Sequence, residues 1–310
     1  MKKLVLIAFA LSLVTACNTE PLDPELTSGG GDTGGGSGSE SADLMLSSYE
    51  LDTDLFVSFL GLPIETTTNS LFNISNNIVV GGTNQISANQ GPFETENQSI
   101  TRNSSGQIIS FSSVNAQGTT TNETLVTYTN GVISQISYDY YENDEDDYVY
   151  NFTYDGNTIT RTEENTTIST VFTVDSADRI IKKESFDGDF VLQTETIAYT
   201  ANGNISSSTT TGEIESNTTY QFDDQENPLK VVFEDNYLLQ FLEDDYSEEL
   251  GPQIAQFLST NNWNAANFNG STFTFDLDYN TAGRISSRVI AYDFGPEFAF
   301  EFNERFNYVN

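Results

Sequence analysis

The 310-residue chain has no histidine and a single cysteine. Nucleophilic sites of the Ser-His-Asp and Cys-His kinds are therefore excluded, as are zinc sites built on Cys or His. Basic residues are scarce, with 11 Lys+Arg against 46 Asp+Glu and a formal net charge of -35. Charge of that sign repels nucleic-acid phosphates and anionic lipid surfaces and attracts cations. It also keeps the chain soluble and favours a monomer. The chemistry left for catalysis is that of carboxylates, Tyr, Ser/Thr and a few Lys/Arg. Paired carboxylates can build a glycosidase, but among so many acids a pair by itself says nothing. No cofactor is expected, and the chain reads as a non-enzyme.

Cys17 closes an apolar opening. Lys2 and Lys3 are basic, Leu4 to Val14 is hydrophobic and interrupted by Ser12, and Thr15-Ala16 put small residues before the cysteine. The apolar run is too short to span a bilayer as a helix. The stretch resembles a bacterial lipoprotein signal peptide with its lipobox. That resemblance implies a signal peptide over 1–16, cleavage before Cys17 and lipidation of its thiol. Cleavage would take away two lysines and no acid, moving the net charge from -35 to -37. Two or three acyl chains hold a protein on a membrane nearly permanently. The expected location is the cell envelope, at the outer membrane, facing the periplasm or the exterior.

Residues 17–42 continue as the lipidated cysteine and a Gly/Ser-rich tether. Such a composition buries no core and behaves as a flexible coil with a reach of about 25–30 Å. Residues 43–310 then read as one all-β domain. Thr272 to Tyr279 alternates strictly, with Phe273, Phe275, Leu277 and Tyr279 on one side. Tyr148, Tyr150, Phe152 and Tyr154 form a second aromatic row, and Phe298, Phe300 and Phe302 a third. Period-two patterns of this kind mark strands with one buried and one wet face.

The turns recur. Tyr199-Thr200-Ala201-Asn202-Gly203-Asn204-Ile205 and Tyr279-Asn280-Thr281-Ala282-Gly283-Arg284-Ile285 share one formula. Val174 to Ile180 repeats it with Asp178 in the glycine place, and Asn103 to Ile108 opens the series. Shortened forms carry Asn130-Gly131 and Asp155-Gly156, and Phe222 to Leu229 is the loosest copy. Gly106, Gly131 and Gly156 are 25 residues apart. The expected unit is a hairpin of about 24 residues, two strands and two turns. These turns resemble those of YD-type repeat proteins, with the grammar of Rhs repeats, as carried by small lipoproteins of Bacteroidota. The resemblance implies an antiparallel meander and no catalytic residues. One apolar face per strand must then be covered, by curling into a barrel, by folding into a sandwich, or by using residues 43–80 and a helical insert as cover over the sheet.

The rhythm breaks between Glu226 and Gly283. A short helical insert is expected at about 246–260, where Pro252 suits a first turn and Leu250, Ile254, Phe257 and Leu258 share a face. Trp263 follows, as a ligand platform or a core plug. The densest acidic run, Tyr138 to Tyr148, makes Asp144, Asp146 and Asp147 candidates for Ca²⁺, against a plain solvated hairpin loop. Tyr140 and Tyr141 beside it can stack on a sugar or close a sheet face. Two functions stand open. One is a non-catalytic binding or structural module whose partner is an envelope protein or a glycan. The other is a carbohydrate-binding or carbohydrate-processing accessory protein, using carboxylates and aromatics in a sheet concavity. A filled interior would favour the first, and an aromatic-lined cleft with two carboxylates the second.

Overall fold

The computed structural model describes residues 45–59, 62–141, 147–234, 237–295 and 298–309. The signal peptide, Cys17, the tether, Asp144 and Asp146 lie outside the described residues. Nineteen strands, β1 to β19, run through the described chain, each pairing antiparallel with its sequence neighbour. The meander returns on itself because β1 (Leu46–Phe59) pairs with both β2 (Leu62–Ser75) and β19 (Phe298–Tyr308). The product is one nearly closed barrel-shaped sheet. Its single interruption lies at Phe275, between β16 (Ser271–Thr274), which pairs with β15 (Asn261–Phe268), and β17 (Asp276–Tyr279), which pairs with β18 (Ile285–Asp293). Closure covers the apolar faces, and β1 and β2 serve as wall strands rather than as cover.

The turn formula is one geometry repeated. At Asn103, Asp175, Thr200 and Asn280 the backbone N–H donates to the carbonyl four residues on, and the residue three on donates back. That third residue has positive φ each time: Gly106 at 92°, Asp178 at 59°, Gly203 at 91° and Gly283 at 77°. Aspartate tolerates this region at a modest cost, which is why Asp178 can stand in for glycine. A tyrosine at the end of a later strand ties successive units together. Tyr128, Tyr154, Tyr199 and Tyr308 donate their hydroxyls to the carbonyls of Ile108, Ile133, Ile180 and Ile285, each at 2.9 Å. Arg179 and Arg284 lie over the rings of Tyr199 and Tyr308, at 4.3 and 4.6 Å.

The loosest copy of the formula is not a hairpin turn. β14 (Ser216–Glu226) pairs with β15 at Glu226–Asn261, and Asn227 N–H donates to the Thr260 carbonyl. All of 228–259 is therefore inserted at a turn position, and it folds into the barrel. Asn227 caps α1 (Pro228–Phe233) by accepting from Leu229 N–H at 3.1 Å, and Pro228 fits the first turn. α2 (Tyr237–Glu243) follows, then α3 (Gly251–Gln253), which runs on as a π-turn over Ile254–Leu258. The helical segment thus begins earlier than the expected 246–260, and residues 246–250 are irregular. Leu229, Leu239, Leu242, Leu250 and Ala255 are each 0% exposed. One short helix face is too small to fill a barrel of this girth, so three elements share the work.

The wall has water-facing polarity. Ser207, Thr209 and Thr211 point outward on β13 (Ile205–Gly212), as do Glu301, Asn303 and Arg305 on β19. Outside, Arg305 bridges Glu50 and Asp52 of β1 at 2.7 and 2.8 Å. A lipid-spanning barrel needs the reverse, an apolar outer band about 25 Å tall and a polar lumen.

Candidate functional site

A cleft of about 560 Å³ opens where two irregularities of the sheet meet, within the roughly 300–1,000 Å³ usual for small-ligand pockets. The first irregularity is a bulge. Between the pairs Phe222–Trp263 and Glu226–Asn261, β14 carries Asp223, Asp224 and Gln225 opposite Asn262 alone. The second is the break at Phe275, which still donates its N–H to the Asn264 carbonyl at 2.9 Å. Asp223, Asp224, Gln225 and Asn264 line one side, and Phe275, Leu277, Tyr279 and Gly283 the other.

Asp223 organises the wall of the cleft. Its Oδ1 accepts from the backbone N–H of Gln225 at 3.0 Å and of Asn262 at 3.2 Å. Its Oδ2 accepts from the Tyr279 hydroxyl and from Asn262 Nδ2. Partial burial and the Asp223 carboxylate together hold the Tyr279 phenol well above its usual pKa, so it stays a donor. Asp223 is thus committed to the protein. Asp224 accepts from Gln225 Nε2 at 2.8 Å and otherwise meets solvent. Asn264 Oδ1 and Oδ1 of the fully buried Asn262 are themselves buried and have no hydrogen-bond partner. The cleft therefore presents the Asp224 carboxylate beside two aromatic rings.

Trp263 is 2% exposed and forms the floor behind the cleft. Its ring meets Phe275 edge-on at 4.7 Å and Tyr220 at 5.8 Å, and its indole N–H donates to the Ala265 carbonyl. Of the two roles open to it, the structure gives Trp263 the core one. Tyr140, Tyr141 and Asp147 lie at a hairpin elsewhere, away from the cleft. Asp147 accepts from Tyr140 N–H at 2.7 Å, and Tyr141 is 56% exposed. Tyr138, Tyr148 and Tyr150 stack in a row at 5.1 and 4.5 Å, a sheet-closing face. Among the described residues no group of three or more His, Cys, Asp or Glu is arranged to hold a metal ion.

No protein-family model matches the chain, and no curated protein matches it. Among solved structures it is similar to a porin-like protein from Bacteroides uniformis. The identity is 13% and the TM-score 0.45, over 93% of this chain and 99% of that one.

Sequence reasoning passed over Asp223, Asn264 and Tyr279. Its signal was there in Phe222 to Leu229, the copy that departs furthest from the turn formula.

A second polar cluster lies inside the barrel, where the wall grips residues 242–251. Arg161 donates to the carbonyls of Leu242 and Asp244. Lys183 Nζ donates to those of Asp245 and Glu248 at 2.9 and 2.7 Å. Ser185 and Gln193 take the carbonyls of Tyr246 and Ser247, both at 2.9 Å. Glu195 accepts from the N–H groups of Leu250 and Gly251 at 2.7 and 2.9 Å. Burial pushes the Glu195 carboxyl up and the Lys183 ammonium down. It also raises Asp244 to about 6 and Glu243 to about 7. The wall groups hold the insert by its backbone, while Glu243 accepts from Thr124 and Asp244 from Gln253, and Gln193 Oε1 and Glu243 Oε2 are left without a partner.

Proposed function

We propose that this chain is a lipid-anchored β module of the bacterial cell envelope that binds a partner without catalysis, through the cleft between β14 and β17. The observation that carries this reading is the barrel itself, with a polar wall outside and a helical insert filling the inside. Such a body is suited neither to spanning lipid nor to conducting solute. It needs another way to stay at a membrane, and the lipobox at Cys17 with its Gly/Ser tether provides one. Lipidation would leave the barrel, carried on a cleaved chain of net charge -37, clear of the headgroups. The recurring hairpin geometry supports kinship with the YD-type repeats, and the acidic surface speaks against nucleic acid as a partner and for a monomer.

Carbohydrate binding is the second reading. Phe275 and Tyr279 stand beside Asp223 and Asp224 in the cleft, the mixture of rings and acceptors that saccharides use. The commitment of Asp223 to Asn262 and Tyr279 favours binding over hydrolysis, because a general acid or base must be free to exchange its proton. Metabolic labelling with palmitate tests the anchor. Wild type should take up label and Cys17→Ala should not, and label surviving that substitution refutes lipidation. A glycan array run with and without calcium tests the second reading, which ends if no glycan is retained in either condition.

A further inference from the structure

We infer that the cleft between β14 and β17 takes a primary ammonium carried on an apolar or ring-bearing body. This rests on the reading of the cleft as a binding site. The lining offers Asp223, Asp224, the Gln225 amide and Asn264, and no Lys or Arg. The nearby guanidiniums are turned elsewhere. Arg284 lies over the ring of Tyr308, and Arg288 is fully buried against Glu304. The Tyr279 hydroxyl is already given to Asp223, and Gln225 Nε2 to Asp224. What remains open is the Asp224 carboxylate, while the unmatched side-chain oxygen of Asn264 is buried in the cleft wall. A ligand must bring donors, and beside two carboxylates a cationic donor gains most. An anion would meet only repulsion. Phe275, Leu277 and Tyr279 supply the complementary part, an apolar wall for the ligand's body and ring faces that attract a cation. The whole chain's negative charge draws cations toward this opening.

The lone tryptophan reports on the cleft, since Phe275 separates Trp263 from it by one ring contact. Three probes share a phenyl ring and differ in charge: phenethylamine, 2-phenylethanol and phenylacetate. Titrated into the intact protein, phenethylamine should give a saturable change in Trp263 emission and a matching calorimetric heat. The alcohol should bind about tenfold more weakly, the worth of one charge-assisted hydrogen bond, and phenylacetate should not bind. Asp224→Asn should weaken the amine by a similar factor. Asp139→Asn removes the same charge from an exposed position on β7 (Val132–Tyr140) and should leave binding unchanged. The inference is overturned if the alcohol binds as well as the amine, or if the two substitutions weaken binding equally. Saturable binding of N-acetylglucosamine without binding of phenethylamine would overturn it too, while leaving the cleft a binding site. Failure of every probe would remove both readings.

Discussion

The two sides of the barrel interior hold the same insert by opposite means. Around Tyr49 the contact is aromatic. Tyr49 stacks on Phe72 at 5.6 Å and meets Phe233, Phe257 and Phe306 within 6.5 Å. Its one ionic feature is sealed in: Arg288 and Glu304 are both 0% exposed in their side chains, and Glu304 also accepts from Tyr49 and from Gln256 Nε2. Across the barrel, β9 (Thr158–Glu163), β11 (Ile180–Asp187) and β12 (Phe190–Tyr199) offer Arg161, Lys183, Ser185, Gln193 and Glu195 instead. The difference follows the backbone of the insert. α1 and the Ile254–Leu258 turn bond most of their backbone groups helically, and Asn227 at the end of β14 takes the Gln256 carbonyl, so they meet the wall mainly through side chains. Residues 244–250 are irregular, with Asp244, Glu248 and Leu250 buried and Asp245 exposed, so the carbonyls of 244–248 that face the wall take their partners from it. A polar wall is the consequence of an unhelical segment.

That contrast can be broken most severely at the buried ion pair. Arg288→Met alone strands the Glu304 charge in the core and should cost about 3–5 kcal/mol in denaturant unfolding. The double replacement Arg288→Met/Glu304→Leu should recover most of it, and equal losses in both variants would contradict the argument. On the same side, Phe233→Ala opens a cavity among the rings of Tyr49, Phe72 and Phe257 and should cost about 3–4 kcal/mol.

The polar side should answer to pH where the aromatic side does not. Glu195, Glu243 and Asp244 hold their protons to higher pH folded than unfolded, because burial disfavours their charged forms. Their contribution is complete below the unfolded carboxyl range, about pH 4. It is lost as pH rises through about 6 for Asp244 and about 7 for Glu243. Lys183, lowered by burial, works in the opposite sense at alkaline pH. The melting temperature should therefore fall from weakly acidic to neutral pH. Asp244→Asn should flatten the fall, whereas Phe233→Ala should shift the whole curve and keep its slope. The smallest effect is expected outside both regions. Tyr199→Phe removes the hydroxyl bond to Ile180 and should cost about 1 kcal/mol, read as a small displacement of the same transition.

Much of the wall was legible because its causes are local. The alternation through Tyr148 to Tyr154 became β8 (Tyr148–Asp155), with Tyr150 and Phe152 buried. Asp178 took the positive φ that the formula required of it. Thr272 to Tyr279, the cleanest alternation, is the strand that breaks, because its two halves pair with different neighbours. The cleft was not legible for the same reason. Asp223 and Tyr279 are 56 residues apart and meet only through the order of strands between them.

The sequence by itself determined strands, turn geometry and the repeat, since period-two burial and positive-φ turns depend on residues a few positions apart. It also determined which chemistries are missing, because residue types that are absent cannot be supplied by folding. Tertiary structure alone decided that β1 meets β19, that the insert goes inside rather than over the sheet, and that Lys183 and Glu195 face inward. Those outcomes rest on contacts between distant segments, and on buried carbonyls whose need for partners no local pattern announces.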